Sequence, residues 1–137
     1  MTASIDLKKK LYNYCISQRK KIKHIYGQVC VGVEDSRHTF RVCSHSFNPE
    51  PKYVYYEDVR TRLTRIGKIG KYHIGNCYLG CCAEPHAANK LLNRLNKTKK
   101  QNIVTNSGAF IFSKALRMRT QQEVKYCKIC KQTFEQL

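Results

Sequence analysis

CCAEPHAANKLLNRL, residues 81–95, and CKIC, residues 127–130, are the stretches on which the reading of this chain turns. In the first, Pro85 opens a segment whose apolar residues Ala88, Leu91, Leu92 and Leu95 fall three and four apart, the spacing of a helix with one buried face. Cys82 and Glu84 stand at its start. In the second, Cys127 and Cys130 begin a short terminal segment, Cys127 to Leu137, that predicts another helix. A lone C-x-x-C also serves thiol redox sites, which sit after a strand of a βαβ unit, and structural zinc sites, where Cys77, Cys81 or His86 would add a fourth ligand. Glu84 points to a third use. It is the only acidic residue between positions 59 and 122, in a stretch dense with Lys and Arg, and it lies two residues after a candidate ligand. Three ligands leave zinc one tetrahedral position for water, and a nearby carboxylate that is not a ligand can carry protons. Cys82 has this two-residue offset to Glu84; its neighbour Cys81 does not.

Between and before these motifs the pattern is that of one α/β domain covering residues 1–137. Gly108 to Leu116, GAFIFSKAL, is the most apolar short run and predicts a buried strand. Gln28–Val33 and His38–Ser46 alternate as the two strands of a hairpin with its turn at Glu34–Arg37, and Asn48-Pro-Glu-Pro ends the second strand. Tyr53–Ile66 permits a helix or an irregular basic segment, and Gly67–Gly75 is too rich in glycine for a helix. The first element is a basic helix over about residues 5–26, capped by Ser4 and ended by Gly27, with Leu7, Leu11, Tyr14 and Cys15 on its apolar stripe. The core carrying the zinc motifs then runs over about residues 28–137.

In order and content these segments resemble the cytidine deaminase-like superfamily of zinc-dependent nucleobase deaminases. That family runs from a first helix through a β-hairpin, an (H/C)-A-E helix and a third strand to a C-x-x-C helix. The chain repeats the series from about Ile5 to Leu137, with Cys82-Ala-Glu-Pro, Gly108-Ala-Phe-Ile-Phe and Cys127-x-x-Cys130 in the matching places. The Cys-Ala-Glu-Pro form is similar to that of short deaminases from bacterial polymorphic toxins and their viral relatives. The resemblance implies a compact three-layer α/β/α sandwich with a small mixed sheet, Zn2+ held by Cys82, Cys127 and Cys130, and Glu84 as the proton shuttle of a hydrolytic deamination. Asn48 is similar in place to the Asn that hydrogen-bonds the target base or sugar in tRNA adenosine deaminases. Two departures accompany these matches. Tyr126 stands where the family usually has Pro, and the family's further strands after the last helix have no counterpart before Leu137, a C-terminal truncation of the pattern. A three-stranded sheet therefore predicts either another strand within residues 53–76 or a second subunit or partner over an exposed edge.

Charge narrows the substrate. Lys plus Arg total 26 against 9 Asp plus Glu, a formal charge of +17, and 42% of residues are apolar. The chain is too hydrophobic for a disordered basic tail and lacks the roughly 18 consecutive apolar residues of a membrane span. A free nucleoside has no use for such charge, whereas each phosphate neutralised adds affinity for DNA or RNA. Arg60, Arg62, Arg65, Lys68 and Lys71 before the first motif, and Lys125 and Lys128 around the second, are candidate phosphate contacts. Tyr72, His73, His86 and Tyr126 are candidate substrate contacts, since aromatic rings stack unpaired bases. A duplex hides the target atom, so the expected substrate is a base, cytosine ahead of adenine, in single-stranded or flipped-out nucleic acid. The alternative is a catalytically inactive, zinc-stapled, basic nucleic-acid-binding protein. MTASIDLKKKLYNY lacks the apolar run of a secretory signal, so Cys15, Cys30, Cys43 and Cys77 read as core or free thiols of a reducing compartment, cytoplasm or nucleus.

Overall fold

The computed structural model describes residues 3–21, 28–47, 53–73, 77–99 and 110–134. Helix α1 (Ile5–Lys21) buries Leu7, Leu11 and Cys15 and turns its lysines outward. Ser4 caps it as its composition predicts: the hydroxyl accepts from Leu7 N at 3.1 Å. Strands β1 (Val29–Glu34) and β2 (Arg41–His45) form the expected hairpin, with Gly32 opposite Cys43. Helix α2 (Glu57–Thr64) takes up the segment left open by sequence. The glycine-rich run contributes β3 (Tyr72–His73), paired with β4 (Cys77–Tyr78) as a separate two-stranded ribbon. The window 53–76 thus holds a strand that does not extend the main sheet.

Helix α3 (Ala83–Lys99) begins two residues before Pro85, which sits in the first turn where its missing N–H is not needed. The expected third strand is divided into β5 (Ile111–Phe112) and β6 (Ala115–Arg117), both antiparallel to β1. Ser113 makes the break: Gly32 N donates to its hydroxyl at 2.9 Å while Ser113 N donates to Gly32 O at 2.9 Å. Strand β7 (Glu123–Val124) follows β6 through a tight turn, and α4 (Lys128–Thr133) ends the described chain. Among the described residues the architecture is mixed α/β with four helices and a five-stranded sheet in the order β2-β1-β6-β7, β5 pairing the other end of β1. Its described pairings are all antiparallel, a correction to the expected mixed sheet. The reason is local, because β6 returns as a hairpin into β7, whereas parallel neighbours need a long crossover.

Alternation along β1 decides which helix covers which face. Val31 and Val33 join Leu91, Leu92, Val59, Leu63, Ile129 and Phe134 in the main core, so α2, α3 and α4 share one face. Cys30 and Cys43 pack with Leu11, Cys15 and Met118 beneath α1 on the other. The approach of α1 is close: a Cβ on Gly32 would lie 2.8 Å from Leu7 Cδ1. No described helix is long and apolar enough to cross a membrane.

The start of α1 is tied to the hairpin through a buried acid that the sequence reading places in the turn. Glu34 is fully buried, and it accepts from Ser4 N at 2.7 Å, Ser4 Oγ at 2.8 Å and Arg41 Nε at 3.1 Å, with His38 Nδ1 2.8 Å away. Burial alone would raise its pKa, but the hydrogen bonds from Ser4 and the contact with His38 outweigh it and hold the carboxyl below its usual range. A folded-state pKa below the unfolded value gives stability that is present above about pH 4.3 and lost as pH falls through the folded value. Glu34→Gln is therefore expected to cost about 2–4 kcal/mol near neutral pH. Urea unfolding of both proteins should show that gap narrowing steadily as the pH is lowered through the acid range.

Candidate metal centre

Three thiols converge where α3 and α4 begin. The sulfurs of Cys82, Cys127 and Cys130 all lie within 4.8 Å of one another and could hold a metal ion. Cys82 and Cys127 are 3.3 Å apart, and Cys130 N donates to Cys127 Sγ at 3.4 Å, as an N-capping thiol should allow. Cys127 is held far below an ordinary thiol by its contacts with the Cys130 and Cys82 sulfurs and with the backbone N–H groups of Cys130 and Ile129. Cys130 and Cys82 are raised, first by contact with that sulfur, with burial adding to the rise. Cys81, although adjacent, is outside it.

Glu84 stands against this cluster. Its carboxyl is 4% exposed, and Cys130 Sγ donates to Oε2 at 2.6 Å. Burial pushes its pKa up to about 7, with the charge on Cys127 adding to the rise and the Cys130 hydrogen bond opposing it. Cys82, Cys127 and Glu84 open onto a cleft of about 290 Å³ walled by Val29, Ala83, Ala115 and Val124. Tyr78, 53% exposed, and Lys125 stand at its margin.

The other residues singled out by sequence are dispersed. Asn48 lies outside the described residues, as do the side chains of Tyr72, His73 and Lys128. Tyr126 comes beside the cluster, its hydroxyl donating to Ser113 O and its pKa pushed up to about 12, first by burial and then by Glu84 and Cys130. His86 is buried and outside the thiol cluster: Nε2 lies 3.1 Å from Phe47 O, Nδ1 lies 3.4 Å from Tyr53 Oη, and its ring stacks on Phe47 at 3.7 Å. Burial pulls it down to about 4, so it is a neutral wall rather than a cation. Arg60, Arg65, Lys68 and Lys71 are exposed on and after α2. Arg62 is committed inside the fold, donating to Asp58 at 3.3 Å and to Thr133 O at 3.4 Å while its guanidinium lies 5.5 Å from the Phe110 and Phe134 ring centroids.

Two supports escape the sequence reading. Asn89 accepts from Tyr56 N at 2.6 Å and donates to Val54 O at 3.0 Å, pinning the segment before α2 to α3. Tyr55 Oη donates to Gly80 O at 2.8 Å and fixes the left-handed turn (φ +92°) that delivers Cys82. A polar Asn89 among the apolar spacings of α3 is the one advance signal.

Comparison of the chain with protein-family models, with curated proteins and with solved structures returns no match. The metal centre therefore rests on its own geometry. After loading with Zn2+ and desalting, the wild type is expected to retain about one ion per chain, and Cys82→Ser, Cys127→Ser and Cys130→Ser well under half of that. Metal analysis should find Cys81→Ser indistinguishable from wild type; equal loss in all four would move the site.

Proposed function

We propose that this chain is a zinc-dependent hydrolytic deaminase acting on a base, cytosine ahead of adenine, in single-stranded or flipped-out nucleic acid. The observation that carries the reading is Glu84, a buried carboxyl set beside three converging thiols and open to a cleft. A purely structural thiolate knot gains nothing from a buried acid, whose desolvation is costly. The helices on both faces of the sheet, with thiols at the starts of α3 and α4, support a deaminase-like sandwich as part of the same reading.

The donor set suits zinc. Bonds of about 2.3 Å in a tetrahedron place sulfurs about 3.8 Å apart, and these three sulfurs lie within 4.8 Å of one another before any ion draws them in. Bound there with one position open, zinc supplies a water-derived nucleophile at neutral pH. The chain's own residues do the rest. Glu84, raised by burial to about 7, can accept a proton in the first half of the reaction and return it to the departing amine in the second. Val29, Ala83 and Ala115 give the cleft apolar walls that admit a flat ring and limit water. Tyr78 offers a ring for stacking an unpaired base, and Lys125 a cation for its phosphate.

Zinc-loaded protein incubated with mixed-sequence single-stranded and duplex DNA and RNA is expected to produce base conversions in the single strands, read by sequencing. Glu84→Gln should keep about one zinc and lower turnover by about 10²- to 10⁴-fold. Strong binding with no conversion of any base would instead identify an inactive, zinc-stapled binding protein.

A further inference from the structure

A second cavity, larger than the metal cleft, lies among the described residues. This hollow of about 540 Å³ lies beside the cleft, within the range of ligand sites. It spans from Tyr14 on α1, past His45 and Phe47 at the end of β2, to Tyr53 and to Lys90 and Asn93 on α3. The two spaces share a wall. Phe47 N donates to Cys81 O at 3.1 Å, Ser46 lines the metal cleft while Phe47 lines the cavity, and His86, stacked on Phe47, is two residues from Glu84.

Aromatic rings dominate this cavity: Phe47 lies 5.6 Å from both His45 and Tyr53. Lys90 and Asn93 bring N–H groups to its lining. Asn93 accepts from Tyr56 Oη at 2.8 Å, and its Nδ2 has no hydrogen-bond partner among the described residues. Lys90 Nζ donates to Cys43 O at 2.8 Å, and Lys10, outside the lining but on the same strand edge, donates from Nζ to Arg41 O at 2.7 Å. These carbonyls lie on the outer side of β2, the edge strand, two residues or about 6.8 Å apart. That interval is comparable with the one between successive phosphates of an extended strand. Neither ammonium has a carboxylate partner among the described residues, and Lys90 is lowered first by burial and further by the charge of Lys10. One cation on the cavity's lining and a second farther along the same strand edge, with no acid paired to either and with stacked rings and a spare amide donor nearby, suit a phosphate and a heterocycle.

We propose that this cavity is a nucleotide subsite: it takes a base of the strand next to the target base, stacked among Phe47 and Tyr53, with the flanking phosphates on Lys10 and Lys90. The assignment rests on the deaminase reading for the strand's identity as substrate, and on the cavity alone for its place of binding. A strand leaving the metal cleft over Phe47 would then follow the β2 edge, where the two lysines also block pairing with another sheet.

The test is fluorescence anisotropy of a labelled single-stranded oligonucleotide with the full, zinc-loaded chain. Lys10→Ala/Lys90→Ala is expected to weaken binding about tenfold and to flatten the salt dependence by about 1.4 in the slope of log K against log salt. Asn93→Asp, which keeps the acceptor for Tyr56 but puts an anion into the cavity, should weaken it similarly. Lys20→Ala/Lys21→Ala removes the same charge at the far end of α1 and should change binding much less. Equal losses in the two lysine pairs would overturn the subsite, as would photo-cross-links from a 4-thiothymidine strand that avoid the peptides containing Phe47 and Tyr53. A nucleoside monophosphate that outcompetes the strand would reassign the cavity to free nucleotide. Cross-linking at Phe47 and Tyr53 without base conversion would keep the subsite and sink the deaminase reading; conversion with Lys10→Ala/Lys90→Ala binding normally would do the reverse.

Discussion

Cys127 and Cys130 belong to a helix of six residues, and a helix that short does not hold its shape unless its flanks are packed. Two of the three thiols thus depend on what grips α4. Ile129 and Phe134 are buried in the main core, and Thr133 Oγ1 turns back to Ile129 O at 2.7 Å. Arg62 closes the grip from α2, its guanidinium between the rings of Phe110 and Phe134 and one N–H on the last turn's carbonyl. Asp58, one turn earlier, balances its charge. A cation that looks from the sequence like a phosphate contact is thereby the clamp that keeps Cys127 and Cys130 facing Cys82.

The opposing jaw is stiffer for a different reason. Helix α3 has seventeen residues, and its small residues Ala83, Ala87 and Ala88 let it lie close to the sheet while Leu91, Leu92 and Leu95 fill the core. The approach to it is fixed by backbone, through Gly80, Tyr55 and the Phe47 to Cys81 hydrogen bond. With both jaws fixed, four acidic groups share a small buried space, and their charges compete. Contacts with the other two sulfurs and with two backbone N–H groups lower Cys127, and its charge adds to the burial that raises Glu84. The metal cluster and the raised carboxyl are thus one electrostatic arrangement.

Much of this was legible in the chain and some was not, for reasons that can be named. Helices α1 and α3 declare themselves because α1 buries one stripe and α3 spaces its leucines three and four apart, periodicities contained in their own sequences, although the first two turns of α3 are buried all round. The hairpin and the two-residue offset of Cys82 and Glu84 are likewise local. The division of β5 from β6 is not, because Ser113 breaks the strand by satisfying Gly32, eighty-one residues away. Strands of two residues such as β3, β4, β5 and β7 are too short to show alternation. Glu34 reads as a turn residue in a hydrophilic run, and its burial follows only from Ser4 and Arg41 closing over it. Arg62 and Asn89 act through partners from distant segments, so their roles emerge only when α2, α3 and α4 meet.

The wall between the two hollows carries a further consequence. His86 could have been a cation beside the metal cluster, which would have stabilised the Cys127 thiolate and lowered Glu84. Burial instead keeps it neutral, and its two ring nitrogens are engaged by Phe47 O and Tyr53 Oη. Positive charge is therefore placed at the margins, on Lys125 for the metal cleft and on Lys90 and Lys10 for the aromatic cavity, while the partition stays uncharged. Glu84 is raised within a chain of charge +17 because burial, and after it the charge of Cys127 nearby, act against that field.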